Sequence, residues 1–163
     1  MTEETELPVK IKIISRQTEQ QFFSDAGEAN EEKDGGSEEN VTEMYAEGVL
    51  LANDKRIAVL YDETELTGME GTHTRLFFAR RNPGMVSLSR DGTVKTALHF
   101  EAGRQHITVY QTPYLTCELC AYTYELKNDL SETGGTLHLR YDLKISGVCL
   151  EKTDLFFEAV PTT

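Results

Sequence analysis

The chain has no tryptophan, three cysteines and four prolines in 163 residues, and too few basic groups to balance its acidic ones. Each shortage excludes something. Three cysteines cannot build a disulfide scaffold, and an odd number behind the acidic opening Met1-Thr2-Glu3-Glu4-Thr5-Glu6 reads as reduced thiols of a cytoplasmic protein. A secretory signal would open on basic residues and continue into an apolar segment, and neither is there. Lys and Arg number 16 against 28 Asp and Glu, a net charge of −12. Such a chain repels phosphate backbones and anionic lipid, so neither nucleic acid nor a membrane surface is an expected partner. No apolar run approaches the ~18 residues of a membrane-spanning helix.

Motifs that carry chemistry are also missing. Cys117-x-x-Cys120 has no second such pair and no spaced histidines to complete a zinc site. On a strand, residues three apart face opposite ways, so the two thiols are expected to be isolated. There is no phosphate-cradling glycine loop before a helix, no G-x-S-x-G and no H-E-x-x-H. Carboxylate pairs such as Glu63/Glu65 say little in so acidic a chain. No catalytic residue, metal ligand or cofactor is assigned.

What the sequence does have is strand pattern. Leu137, Leu139, Tyr141, Leu143 and Ile145 fall on one face of a period-two segment, and His138, Arg140, Asp142 and Lys144 on the other. No segment repeats with helical spacing. Strands are expected over Val9–Arg16, Glu43–Ala52, Arg56–Glu63, Thr72–Arg80, Met85–Ser89, Thr93–Glu101, Arg104–Thr112, Thr116–Lys127, Thr136–Ser146 and Val148–Ala159. Short turn signals join them, as in hairpins. Arg90-Asp91-Gly92 is expected to be a three-residue loop with Gly92 left-handed, setting Leu88 opposite Val94 and Val86 opposite Thr96. A two-residue Ala102-Gly103 turn would set Glu101 opposite Arg104, His99 opposite His106 and Leu98 opposite Ile107. The segment Asp25–Glu43 holds eight acidic residues against Lys33 alone. Low hydrophobicity and high charge cannot offset the entropy of ordering, so residues 25–43 are expected to form a flexible acidic loop.

The length fits one domain over 1–163, with a barrel over 8–160. So many antiparallel strands with one apolar face curl and close, which removes the edges. An all-β, single up-and-down meander closed into a barrel of about eight to ten strands is the expected fold, with a two-sheet sandwich second. Several segments, in this order, resemble a known family: Thr67-Gly68-Met69-Glu70-Gly71-Thr72-His73-Thr74, then Thr112-Pro113-Tyr114, then Gly134-Gly135-Thr136-Leu137 leading into Tyr141-Asp142-Leu143. With the opening strand they resemble the YwiB-like family of uncharacterised bacterial proteins. The resemblance implies a calycin-like (lipocalin-like) β-barrel and brings no activity. Family members usually carry glycine after Thr-Pro-Tyr, where this chain has Leu115.

By parity the barrel lumen is expected to hold Ile11, Ile13, Leu76, Phe78, Val86, Leu88, Val94, Leu98, Phe100, Ile107, Val109, Leu137, Leu139, Leu143 and Ile145, with Tyr141 the polar exception. Arg75, His99, Arg104 and Arg140 fall outside. Such a lining suits a small apolar or amphipathic ligand better than a phosphate or a sugar. Phe100 and Leu139 are the candidate ligand contacts in the lumen. Tyr141 either bonds within a packed core or offers a ligand a polar handle. Tyr114 either plugs an end of the barrel or meets a ligand at its mouth. The strand Thr116–Lys127 is apolar on both faces, which points to cover by a second subunit and so to a homodimer. Three functions rank in order: a ligand-binding barrel; an interaction module with a filled barrel acting through its surface or acidic loop; and an enzyme using the barrel mouth.

Overall fold

A computed structural model describes residues 3–21, 38–63, 69–145 and 149–162. Among these residues ten strands form one antiparallel sheet: β1 (Thr5–Gln21), β2 (Glu38–Ala52), β3 (Arg56–Asp62), β4 (His73–Ala79), β5 (Met85–Asp91), β6 (Thr96–Glu101), β7 (Gln105–Gln111), β8 (Thr116–Asn128), β9 (Gly135–Ile145) and β10 (Cys149–Pro161). Their order is β6-β5-β4-β3-β2-β1-β10-β9-β8-β7. It is a meander whose first and last strands pair, leaving β6 and β7 to face each other across a seam. The sheet curls into a nearly complete barrel, a calycin-like (lipocalin-like) fold.

Alternation drives the closure. Thr74, Leu76 and Phe78 of β4 are buried while His73, Arg75 and Ala79 are exposed. β1, β9 and β10 contribute Val9, Ile11, Leu137, Leu139, Phe157 and Ala159 to the same core. Charged residues such as Lys10, Arg75, Arg140 and Lys144 are exposed on the outer faces. That is the reverse of a transmembrane barrel, whose outer band is apolar. Among the described residues no helix is long and apolar enough to cross a membrane.

In this antiparallel order the C-terminal ends of β1, β3, β5, β7 and β9 and the N-terminal ends of the strands that follow each of them lie at one end of the barrel, here the upper end. The lower end is filled by Val9, Leu50, Val59, Val86 and Leu137, all fully buried. The β8–β9 connection closes it from below with Leu130, whose N–H donates to Asn128 Oδ1 at 3.0 Å. The paired glycines of the sequence motif are needed here. Gly135 has φ +135°, and a Cβ on it would stand 2.2 Å from the Asp129 carbonyl oxygen.

Several expectations are corrected. β1 and β2 are longer than read: Glu38–Glu43, expected in the acidic loop, lies in β2 and pairs with β1 from Glu19 to Ile14. Ion pairs Arg16–Glu39 at 3.8 Å and Lys12–Glu43 at 3.6 Å set acidic residues of β2 against bases of β1. The rest of that stretch, residues 25–37, lies outside the described residues. The β5–β6 register sets Leu88 opposite Leu98 and Val86 opposite Phe100 and ends at the pair Arg90–Thr96, so residues 91–95 lie outside that ladder. The shift is even, so the same residues still face inward. Gly92 does take a positive φ, +142°, and a Cβ on it would collide with the Gly71–Thr72 backbone.

β6 and β7 do not form a hairpin ladder. After Ala102 the chain crosses to β8: Gly103 N–H donates to the Thr123 carbonyl at 2.8 Å, and Thr123 N–H to that of Arg104 at 3.2 Å. The bridge Lys95–Gln111 then places β7 one residue away from the expected register. A one-residue slip turns every side chain over. Ile107 and Val109, expected in the lumen, are 61% and 53% exposed. Tyr110 packs on the core in their place.

Candidate functional site

The upper half of the lumen is not filled. A cavity of about 280 Å³ lies there. Its apolar wall comes from Leu76 of β4, Leu88 of β5, Leu98 and Phe100 of β6, Leu139 of β9 and Phe157 of β10. Polar groups collect toward the upper rim: Ser15 and Gln17 of β1, Thr42 of β2, Tyr61 and Glu63 at the end of β3, Arg90 of β5 and Tyr141 of β9. A broader depression of about 660 Å³ lies around Lys55, Arg56, Phe77 and Arg81 at the lower turns. Its lining is largely exposed, so it encloses nothing.

Glu63 is the centre of the polar end. Its side chain is 1% exposed. Burying a carboxylate is costly unless it is paired and hydrogen-bonded, and both conditions are met. The Thr74 hydroxyl donates to Glu63 Oε2 in a short hydrogen bond. Arg90 Nε lies 3.6 Å from the same oxygen. That distance makes an ion pair and exceeds a hydrogen bond. Arg90 Nε itself is buried and donates to no acceptor among the described residues.

Local backbone holds this arrangement. Glu63 N–H donates to the Thr72 carbonyl at 2.9 Å and Thr72 N–H to that of Met69 at 3.0 Å. Val94 N–H donates to the Thr72 hydroxyl at 3.2 Å. The two phenols stay neutral: burial, then the nearby Glu63 charge, pushes Tyr61 far above the usual tyrosine range. Burial likewise raises Tyr141, with Arg90 opposing and Glu151 adding to the rise. The Tyr141 ring packs 4.6 Å from that of Phe100, and Tyr61 lies 6.4 Å from Phe157.

Of the residues singled out from sequence, Tyr141, Phe100 and Leu139 meet at this cavity. Tyr114 does not. It stands 92% exposed in the β7–β8 turn, where the Thr112 hydroxyl accepts the N–H groups of Tyr114 and Leu115. Leu115, the departure from the family's glycine, sits in that turn as a half-exposed side chain. Cys117 and Cys120 are free thiols. His99 and His106 do come together, with ring centroids 5.7 Å apart across the seam, although no ladder joins their strands. Ser87 Oγ is 2.8 Å from His99 Nδ1, but neither residue lines the cavity. Among the described residues no three His, Cys, Asp or Glu side chains gather as a metal site.

Sequence reasoning missed Tyr61, Glu63, Thr74 and Arg90. A signal existed for the last two. Thr74 shares parity with Leu76 and Phe78, and Arg90 with Val86 and Leu88, so both had to point inward if their strands ran that far.

The profile of a domain of unknown function, DUF1934, matches residues 28–156. The chain belongs to the DUF1934 family. No curated protein matches it. Among solved structures, the ywiB protein from Bacillus subtilis superposes with a TM-score of 0.71 at 21% identity, over 97% of this chain and 94% of that one. At that identity the likeness concerns the fold alone. In this DUF1934 protein the segment Met69–Thr74, part of the motif that carried the resemblance, builds the floor under Glu63. Its described residues frame the buried carboxylate and supply Thr74 as its hydrogen-bond donor.

Proposed function

We propose that the barrel binds one small amphipathic molecule in the upper lumen, entering past Gln17, Thr42 and Met69. The cavity supports this reading: an apolar pocket with a few converging polar groups is the usual form of a small-molecule site. Its volume of about 280 Å³ sits at the small end of the roughly 300–1,000 Å³ such sites span. The occupant therefore has a small aliphatic or aromatic body against Leu88, Leu98, Phe100 and Leu139, and a compact polar head toward Arg90 and Glu63.

The neutral fluorophore N-phenylnaphthylamine tests this, since a chain without tryptophan gives little background. Saturable binding is expected, and Leu155→Phe, which enlarges a half-buried cavity residue, should weaken it about tenfold or more while the fold persists. Equal binding by the variant, or none by the wild type, contradicts the reading.

A second reading rests on the outer face of β7 and β8. Ile107, Val109, Tyr122 and Tyr124 are exposed there together. This strip suits contact with a second copy of the chain. Sedimentation of the wild type against Ile107→Lys distinguishes the two, because a dimer through this face would dissociate in the variant.

A further inference from the structure

At the polar end of the cavity the Glu63–Arg90 pair carries no net charge and is incompletely bonded, and those two facts restrict the head group of an occupant; this inference rests on the lumen being a ligand site. Glu63 and Arg90 contribute one charge of each sign. Their facing atoms, Oε2 and Nε, stand 3.6 Å apart. They are too distant to bond each other, and the Arg90 Nε–H is left without an acceptor among the described residues. Both atoms are buried, so an oxygen reaches them only as the Arg90 side chain, 20% exposed, gives way; at about 2.8 Å from each atom it closes a triangle with them and makes a hydrogen bond to each. To do so it must accept from Arg90 and donate to Glu63. A hydroxyl does both.

A carboxylate head accepts from Arg90 but brings its charge against the buried Glu63 oxygen, with Glu151 adding further negative potential at Tyr141. An ammonium head donates to Glu63 but meets the guanidinium. Either charged head must also leave water for a site where burial is costly. We propose that the lumen selects a small neutral hydroxylic ligand, an alcohol or phenol whose oxygen bridges Arg90 and Glu63, over the matching carboxylate and amine.

Calorimetric titration at neutral pH of the wild-type protein with heptanol, heptanoate and heptylamine separates the three heads on one body. Heptanol is expected to bind about tenfold or more tightly than either charged analogue. Glu63→Gln removes the negative partner and should turn the preference toward heptanoate; Arg90→Gln should turn it toward heptylamine. Heptanoate or heptylamine binding the wild type as tightly as heptanol overturns the head-group inference and leaves the lumen reading standing. If none of the three binds and N-phenylnaphthylamine does not either, the lumen reading falls and the inference with it. The wild-type series decides the matter even where a variant does not fold.

Discussion

Gly92 and Gly103 both have positive φ, +142° and +81°, yet their surroundings differ. A Cβ on Gly103 meets nothing within 4 Å, whereas one on Gly92 would stand 2.3 Å from the Gly71 carbonyl oxygen and 2.8 Å from Thr72 Cα. Gly103→Ala should therefore cost about 1–2 kcal/mol, the backbone penalty alone. Gly92→Ala should cost about 3 kcal/mol or more, because the loop must leave the Gly71–Thr72 segment as well. Urea unfolding of the two variants checks this, and equal losses would show that the β5–β6 loop does not bear on the floor of the site. At this scale the apolar lining was legible: Phe100, Leu139 and Tyr141 follow from parity alone. Arg90 was not, because Arg-Asp-Gly is also a turn signature, and the turn reading ended β5 two residues too soon. Glu63 was hidden for a different reason. In a chain with 28 acidic residues nothing local marks the one that the fold buries.

Elements were legible in type and approximate extent, and less so in pairing. The ten strands expected from alternation are the ten found, while the hairpin registers at Asp91–Lys95 and across Ala102-Gly103 were set by tertiary contacts. In the first, the even shift kept the inward set. In the second, the docking of Gly103 and Arg104 on Thr123 shifted β7 by one residue, which turned Ile107 and Val109 outward. The resulting seam has a pH dependence. Burial, and then His106 opposite, holds His99 below its ordinary value of 6.5. The folded chain thus binds fewer protons at His99 than the unfolded chain does as pH falls below that value. Stability contributed at neutral pH is lost progressively from about pH 6.5 down to the lowered folded value. Among the described residues, Ser87 Oγ at His99 and Glu101 Oε1, 3.9 Å from His106, also face this pair. His99→Gln should flatten that part of the curve of urea midpoint against pH. Wild-type and variant curves of the same slope there would exclude His99 as the cause.

The whole molecule is a barrel filled at its lower end and hollow at its upper end. Composition and alternation revealed the closed meander, and the order of the motifs pointed to the family. They did not reveal that the lumen is only half filled, because occupancy depends on how ten strands stagger around the axis, and a single chain's pattern does not report stagger. If this hollow takes up a small molecule, as proposed, the methionines are placed to report it. Met44 and Met69 line the cavity, and Met85, at the lower end of β5, does not. A titration of methyl-¹³C-methionine-labelled wild-type protein with heptanol should shift the Met44 and Met69 methyl resonances along one saturable curve and leave Met85 in place. Resonances that stay fixed throughout, or a shift at Met85 without one at Met44, would contradict the account.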